Sequence, residues 1–274
     1  ELRESILSTA SLLLAAGIDP AKSILFVQSQ NPDHANGAWV ANCNISMGQM
    51  ARMTQFKEKS EGKESVSVGL FTYPALMAAD ILLYNTTHVP VGDDQKQHVE
   101  LARDAAERFN SRYGGTFVLP EPVIAETGSR VMSLQNPDKK MSKSDPNQNA
   151  SVFLFDEPDV ITKKIMSAVT DSGSEIKAGE GKDGIANLLG IYSELSGKSI
   201  EESEAEFVGV SYGDFKSKVA DVVIEKLSPL KEKYNEIRKD DENLKQTLKD
   251  GAEKAYEISH KKLEEIYSKV GFIV

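Results

Sequence analysis

The strongest constraint on the fold is a change of pattern near residue 150. Before it, short apolar runs alternate with helical stretches; after it, helical periodicity stands alone. Ile24-Leu25-Phe26-Val27 is a continuous apolar run that reads as a buried strand, and His88–Gly92 is again strand-like. Residues 1–16 carry Leu2, Ile6, Leu7, Leu13 and Leu14 at helical spacing, with Gly17 as a stop. Helical pattern also covers 33–59, interrupted near 42–48. Residues 65–70 read as an extended lead-in to a helix at 73–84, and Asp93/Asp94 open a helix to about Asn110. Strands alternating with helices predict a parallel sheet wrapped by helices. Beyond Ser151 the spacing predicts helices at 158–172, 185–196, 199–207, 212–227 and 229–269, and a mobile, glycine-rich loop at 172–183. The expected division is an α/β unit over 1–150 and an all-α unit over 151–274.

Composition narrows the function classes. With 40 % hydrophobic and 27 % charged residues the chain reads as soluble and globular. Its longest apolar stretches, such as 12–16 and 75–79, are too short for a bilayer, and its first residues show no secretory pattern. A lone cysteine, Cys43, excludes an internal disulfide framework and suits the cytoplasm. Four scattered histidines (34, 88, 98 and 260) do not suggest a zinc site, and no protein-held metal site is visible. The net charge of -10 weighs against a nucleic-acid partner in bulk, though a local basic surface can still bind RNA.

The most specific segment is Met132–Asn147, which contains Lys140-Met141-Ser142-Lys143-Ser144 followed by Asp-Pro-Asn. Two ammonium groups and several hydroxyl or amide donors in one turn-prone stretch can converge on a polyphosphate. A leaving pyrophosphate gathers negative charge, and losing one preorganised donor to such charge costs roughly 3 kcal/mol. Lysine suits the task as a mobile point charge. The bland alternative is a solvated basic loop.

Tyr73-Pro74-Ala75-Leu76-Met77-Ala78-Ala79-Asp80-Ile81-Leu82-Leu83-Tyr84 places Tyr73, Met77, Asp80, Ile81 and Tyr84 on one side of a helix. Asp80 then interrupts an apolar stripe, and a carboxylate there needs a donor. The donor is either structural or belongs to a flat apolar ligand. Val89-Pro90-Val91-Gly92-Asp93-Asp94-Gln95 ends a strand in a glycine followed by acids. That arrangement can meet ribose hydroxyls or merely start a helix.

These segments together resemble the class I aminoacyl-tRNA synthetases, and within them the tryptophanyl-tRNA synthetases of bacterial type. The Lys140–Ser144 string is identical to the KMSKS motif of that class, and the Tyr73–Tyr84 helix resembles its tryptophan-recognition helix. The resemblance implies a Rossmann-type sheet with a helical dimerisation insertion and an all-α anticodon-binding unit. It implies ATP-dependent activation of L-tryptophan and transfer to tRNA(Trp), by a homodimer, with Mg2+ entering on ATP. Asp80 would accept the indole N–H, with Met77, Ile81, Val89 and Val91 around the ring and Tyr73 and Gln95 on the ammonium. Gly92, Asp93 and Asp94 would hold ribose, and Val131, in Gly128-Ser129-Arg130-Val131, would lie near adenine. Lys140, Met141, Ser142, Lys143 and Ser144 would hold the phosphates, and Lys59, in Arg52–Ser60, would reach the triphosphate.

One family feature has no counterpart here. The glycine- and histidine-containing motif that follows the first strand of these enzymes is not found. The expectation is therefore a chain without that strand, with impaired activation of tryptophan. A tyrosine-specific relative and a non-catalytic nucleotide- or RNA-binding fragment are the rival readings.

Overall fold

A computed structural model describes residues 1–124 and 131–273. Eleven α-helices and two short strands are formed by them. The first stretch gives α1 (Leu2–Ala15), α2 (Asp33–Asn44), α3 (Met47–Ala51), α4 (Thr54–Ser60), α5 (Val68–Leu82), β1 (His88–Pro90), α6 (Lys96–Tyr113) and β2 (Glu121–Val123). The rest gives α7 (Pro158–Met166), α8 (Asp183–Ser196), α9 (Ile200–Glu206), α10 (Tyr212–Ile237) and α11 (Asp241–Val270).

The chain packs as two compact units. One holds Glu1–Leu7, Asp19–Glu126 and Glu242–Val274; the other holds Ser8–Ile18 and Thr127–Asp241. The packing therefore divides differently from the sequence. The change falls before the Met132–Asn147 segment rather than after it, and α11 belongs with the first unit. Its apolar face explains this: Leu263 and Ile266 join Ala38, Val40, Ala79, Leu83 and Phe109 in one buried cluster. Pattern alone marks α11 as helical, and only its partners reveal which core it completes.

In the first unit β1 and β2 are parallel, with His88 opposite Glu121 and Pro90 opposite Val123, and α6 is the crossover. This is a β-α-β unit, as the alternation predicts. β2 itself escapes a sequence reading because Pro120 and Pro122 disguise it; proline is tolerated only where its missing N–H is not needed. The expected strand at Ile24–Val27 does not form a ladder among the described residues. The segment forms no regular element; Ile24 is 42 % exposed and Leu25, Phe26 and Val27 are only half-buried. It is held instead by α11, whose Gly251 lies so close to the Leu25 carbonyl that no Cβ could fit between them.

That close approach gives a test. Alanine normally favours a helix interior over glycine by about 1 kcal/mol. At Gly251 the collision dominates, and Gly251→Ala is expected to destabilise the protein by about 1–3 kcal/mol in urea unfolding. A more stable variant would mean that the segment does not lie there.

Two prolines mislead a reading of helix limits. Pro74 suggests a helix that starts beside it, yet α5 begins earlier at Val68, where the Ser67 hydroxyl accepts from the Leu70 N–H. Pro229 suggests a break, yet α10 continues through it to Ile237. Pro229 and Glu225, whose carbonyl loses its partner, are both exposed, so water can take the place of the lost bond. The real break follows Ile237, where Arg238 grips Asp241.

The second unit is built on Leu134, Ile161, Ile165, Ile185, Leu188, Leu189, Phe215 and Val219, contributed chiefly by α7, α8 and α10. The 172–183 loop is anchored rather than loose. Ile176 is buried in this core, and the Tyr212 hydroxyl donates to Asp171 and to the Glu175 carbonyl. Those carboxylate contacts and burial push the Tyr212 phenol up to about 12, burial acting most strongly. Among the described residues no helix is long and apolar enough to cross a membrane.

Candidate active site

In the first unit α5 carries the key side chains. Its inner face, Ala75, Ala78, Ala79 and Leu82, is buried against neighbours that include α2 and α6. Tyr73, Met77, Asp80 and Tyr84 lie along a half-exposed flank, and Ile81 is buried. The spacing therefore holds, except that Ile81 packs into the core. Asp80 is 33 % exposed and has the donors its position demands. His34 Nδ1 lies 2.6 Å from Oδ1, and Gln28 Nε2 donates to Oδ1 and Oδ2 at 2.8 and 2.7 Å. Neither partner is legible in the sequence: they lie 46 and 52 residues away. The only signal is negative, since a carboxylate in an apolar stripe requires some donor.

Tyr73 Oη lies 2.8 Å from Nε2 of His98, which is 1 % exposed and whose Nδ1 has no partner among the described residues. Burial raises the Tyr73 phenol. Burial also lowers the His98 imidazole, and the Lys59 ammonium adds to this. His98 thus serves Tyr73 rather than merely filling the core. Lys59 Nζ stands 5.6 Å from the Tyr73 ring centroid, which places the α4 lysine beside the aromatic end of α5.

Val89 and Val91 are half-buried against the same core. Gly92 precedes a single 3-10 turn, Asp93–Gln95, that leads into α6. Asp93 and Asp94 are exposed at this helix start, where negative charge is stabilised. Gln95 Nε2 donates to Asp94 at 2.9 Å, so its Oε1 faces no protein donor among the described residues. That oxygen is the atom an ammonium would use.

In the second unit the Lys140–Ser144 string leaves a short antiparallel bridge between Met132 and Lys140. Met141 N–H donates to the Val131 carbonyl, and Ser133 N–H to the Lys139 carbonyl. Asn187 of α8 clasps Met132 on both sides, accepting its N–H at 2.8 Å and donating to its carbonyl at 2.9 Å. Past the bridge the chain turns on itself: the Ser142 and Ser144 hydroxyls are 2.9 Å apart, and Ser151 Oγ donates to the Ser142 carbonyl. Lys140 and Lys143 are exposed, with no carboxylate partner among the described residues. Val131, 36 % exposed, opens onto a groove of about 290 Å³ that Met132, Pro137 and Asn187 also line. This is near the small end for ligand sites. Gly128, Ser129 and Arg130, which precede it, lie outside the described residues.

The arrangement is two sets of groups, one able to read an amine and an N–H, the other an unpaired cationic loop. The profile of the family described as "tRNA synthetases class I (W and Y)" matches residues 1–228. The chain belongs to that family. It is therefore an aminoacyl-tRNA synthetase, a ligase. This synthetase is 54 % identical to the tryptophan–tRNA ligase of Caldanaerobacter subterraneus subsp. tengcongensis, over 100 % of this chain and 84 % of that one. Among solved structures it is similar to tryptophanyl-tRNA synthetase from Mycoplasma pneumoniae, with 35 % identity and TM-score 0.87, covering 99 % of this chain and 83 % of that one. It is likewise similar to the Campylobacter jejuni enzyme complexed with ADP and tryptophan, with 35 % identity and TM-score 0.84, covering 99 % and 84 %. The Rossmann-type α/β class with added helices stands.

Proposed function

We propose that this synthetase activates L-tryptophan with ATP and transfers it to tRNA(Trp). The observation that carries the reading is Asp80: an acceptor held by two fixed donors on the half-exposed flank of α5, in a chain whose relatives bear the tryptophan name. Indole presents one donor and a broad apolar face. Asp80 accepts its N–H, while Met77, Ile81, Val89 and Val91 surround the ring. Tyr73 Oη and Gln95 Oε1 accept from the ammonium. Gly92, Asp93 and Asp94 bind ribose, and Val131 borders adenine.

In the first step a carboxylate oxygen of tryptophan bonds to the α-phosphorus, and the bond from that phosphorus to pyrophosphate breaks. Lys140, Lys143 and Lys59, with the Met141, Ser142 and Ser144 backbone and hydroxyl groups, take up the charge that gathers on pyrophosphate. Mg2+ enters with ATP. In the second step the terminal ribose hydroxyl of tRNA displaces AMP from the acyl carbon. No side chain becomes a covalent nucleophile; the work is positioning and charge stabilisation.

Three further readings go with this one. The helical residues 151–274 serve tRNA recognition. The 33–115 stretch forms a homodimer interface, supported by exposed Trp39, Met47 and Val68. The protein works in the cytoplasm. The deciding measurement is ATP–pyrophosphate exchange with tryptophan and with tyrosine. Exchange with tryptophan alone is expected, at a rate reduced by the lack of the glycine- and histidine-containing motif. Exchange with tyrosine would overturn the role of Asp80, and exchange with neither would favour a non-catalytic nucleotide-binding protein.

A further inference from the structure

Behind Asp80 lies a continuous hydrogen-bonded chain. It begins at Asp33, whose backbone N–H donates to Asn31 Oδ1 at 3.1 Å. A backbone N–H can only donate, so this bond fixes which way round the Asn31 amide lies. Asn31 is 2 % exposed, and its Nδ2 then points at two hydroxyls: Ser259 Oγ of α11 at 2.9 Å and Tyr84 Oη at 3.2 Å. Ser259 accepts from Asn31 and gives its own hydrogen to Asp33 Oδ2 at 2.7 Å. Tyr84 accepts from Asn31, and its Oη lies 2.7 Å from His34 Nε2. The other ring nitrogen, Nδ1, lies 2.6 Å from Asp80 Oδ1.

We propose that His34 is a positioning residue for amino-acid selection: Asn31 and Tyr84 hold its ring so that Nδ1 stays on Asp80. This rests on the reading of Asp80 as the indole acceptor. The carboxylate is held from two directions, by His34 and by Gln28, and cannot rotate to pair with either alone. Phe26 completes the support, its ring centroid 5.6 Å from that of His34 and 6.3 Å from that of Tyr84. Because bonds in such a chain polarise one another, a change at Tyr84 reaches Asp80 without touching it.

The test uses two substrates, tryptophan and its benzothienyl analogue, which has sulfur in place of the indole N–H and so cannot donate to Asp80. The readout is the ratio of their kcat/KM values in pyrophosphate exchange, measured within each variant so that any loss of folded protein cancels. His34→Leu is expected to lower the tryptophan-to-analogue ratio about tenfold, the scale of one hydrogen bond to a charged group. His34→Asn, whose amide can stand in for Nδ1–H, is expected to recover most of it. Tyr84→Phe is expected to lower it several-fold while keeping the ring packing. If Asp80→Asn collapses the ratio but His34→Leu and Tyr84→Phe leave it unchanged, the positioning role is overturned and Asp80 keeps its own. If Asp80→Asn also leaves it unchanged, both fall together.

Discussion

Replacing Asp80 with alanine is expected to lower kcat/KM for tryptophan by about 100-fold, the equivalent of roughly 3 kcal/mol for a lost charge-assisted hydrogen bond. Two effects add in that figure. The indole N–H loses its acceptor, and the donors on His34 and Gln28 are left facing a gap. The second effect falls on the free enzyme too, so it also appears as a lower melting temperature. Discrimination against analogues without the N–H should shrink with it. A site built around a polar partner rejects unpaired competitors by up to about 10⁴-fold, and removing the partner removes the penalty. Steady-state pyrophosphate exchange with tryptophan and with a desaza analogue measures both quantities. A drop shared equally by the two substrates would mean that Asp80 is structural.

Replacing Lys143 or Lys140 with alanine is expected to slow exchange by about 100-fold or more, chiefly in kcat. The melting temperature should barely change, because both ammonium groups are exposed and neither has a carboxylate partner among the described residues. That separation distinguishes the loop from a structural one: Asn187 and the Met132–Lys140 bridge hold its backbone, and neither lysine ammonium has a partner among the described residues. Arginine at either position should recover little, since a rigid fork cannot follow moving phosphates as a flexible ammonium does. Unchanged exchange in both alanine variants would return the string to a solvated basic loop.

The α5 and Lys140–Ser144 segments were legible because their chemistry is local. A helix repeats every few residues, and a turn-prone string brings its own donors together, so spacing alone locates Asp80 on its flank and the lysines in a loop. What spacing cannot reach is contact between distant segments. Gln28 and His34 meet Asp80 across 52 and 46 residues, and Ser259 meets Asn31 across 228. Tyr73 and His98 are closer in sequence, yet they sit on different helices, so His98 reads as an ordinary core histidine until the two helices are packed. Proline distorted the local reading in both directions. It hid β2, shortened α5 and split α10, because its cost depends on whether the missing N–H was needed or could be replaced by water. The same limit explains the division at 150: composition changes there, but cores are closed by whichever helix faces them.

The first unit is discontinuous along the chain, and this sets an order for its making. α11 is synthesised after every residue it secures. Gly251 packs on the Leu25 carbonyl, Ser259 bonds to Asn31, and Lys262 and Lys269 reach the carbonyls of Thr116 and Gly115. During translation residues 127–241, nearly all of the second unit, have already been made when α11 begins to emerge. The first unit must meanwhile wait with its Asn31–Asp33 network open to water. At about 5–20 residues per second that interval is roughly 6 to 23 s, long compared with helix formation. The nascent protein therefore spends its most vulnerable moments with the first unit unfinished, and the last helix acts as the fastener that ends them.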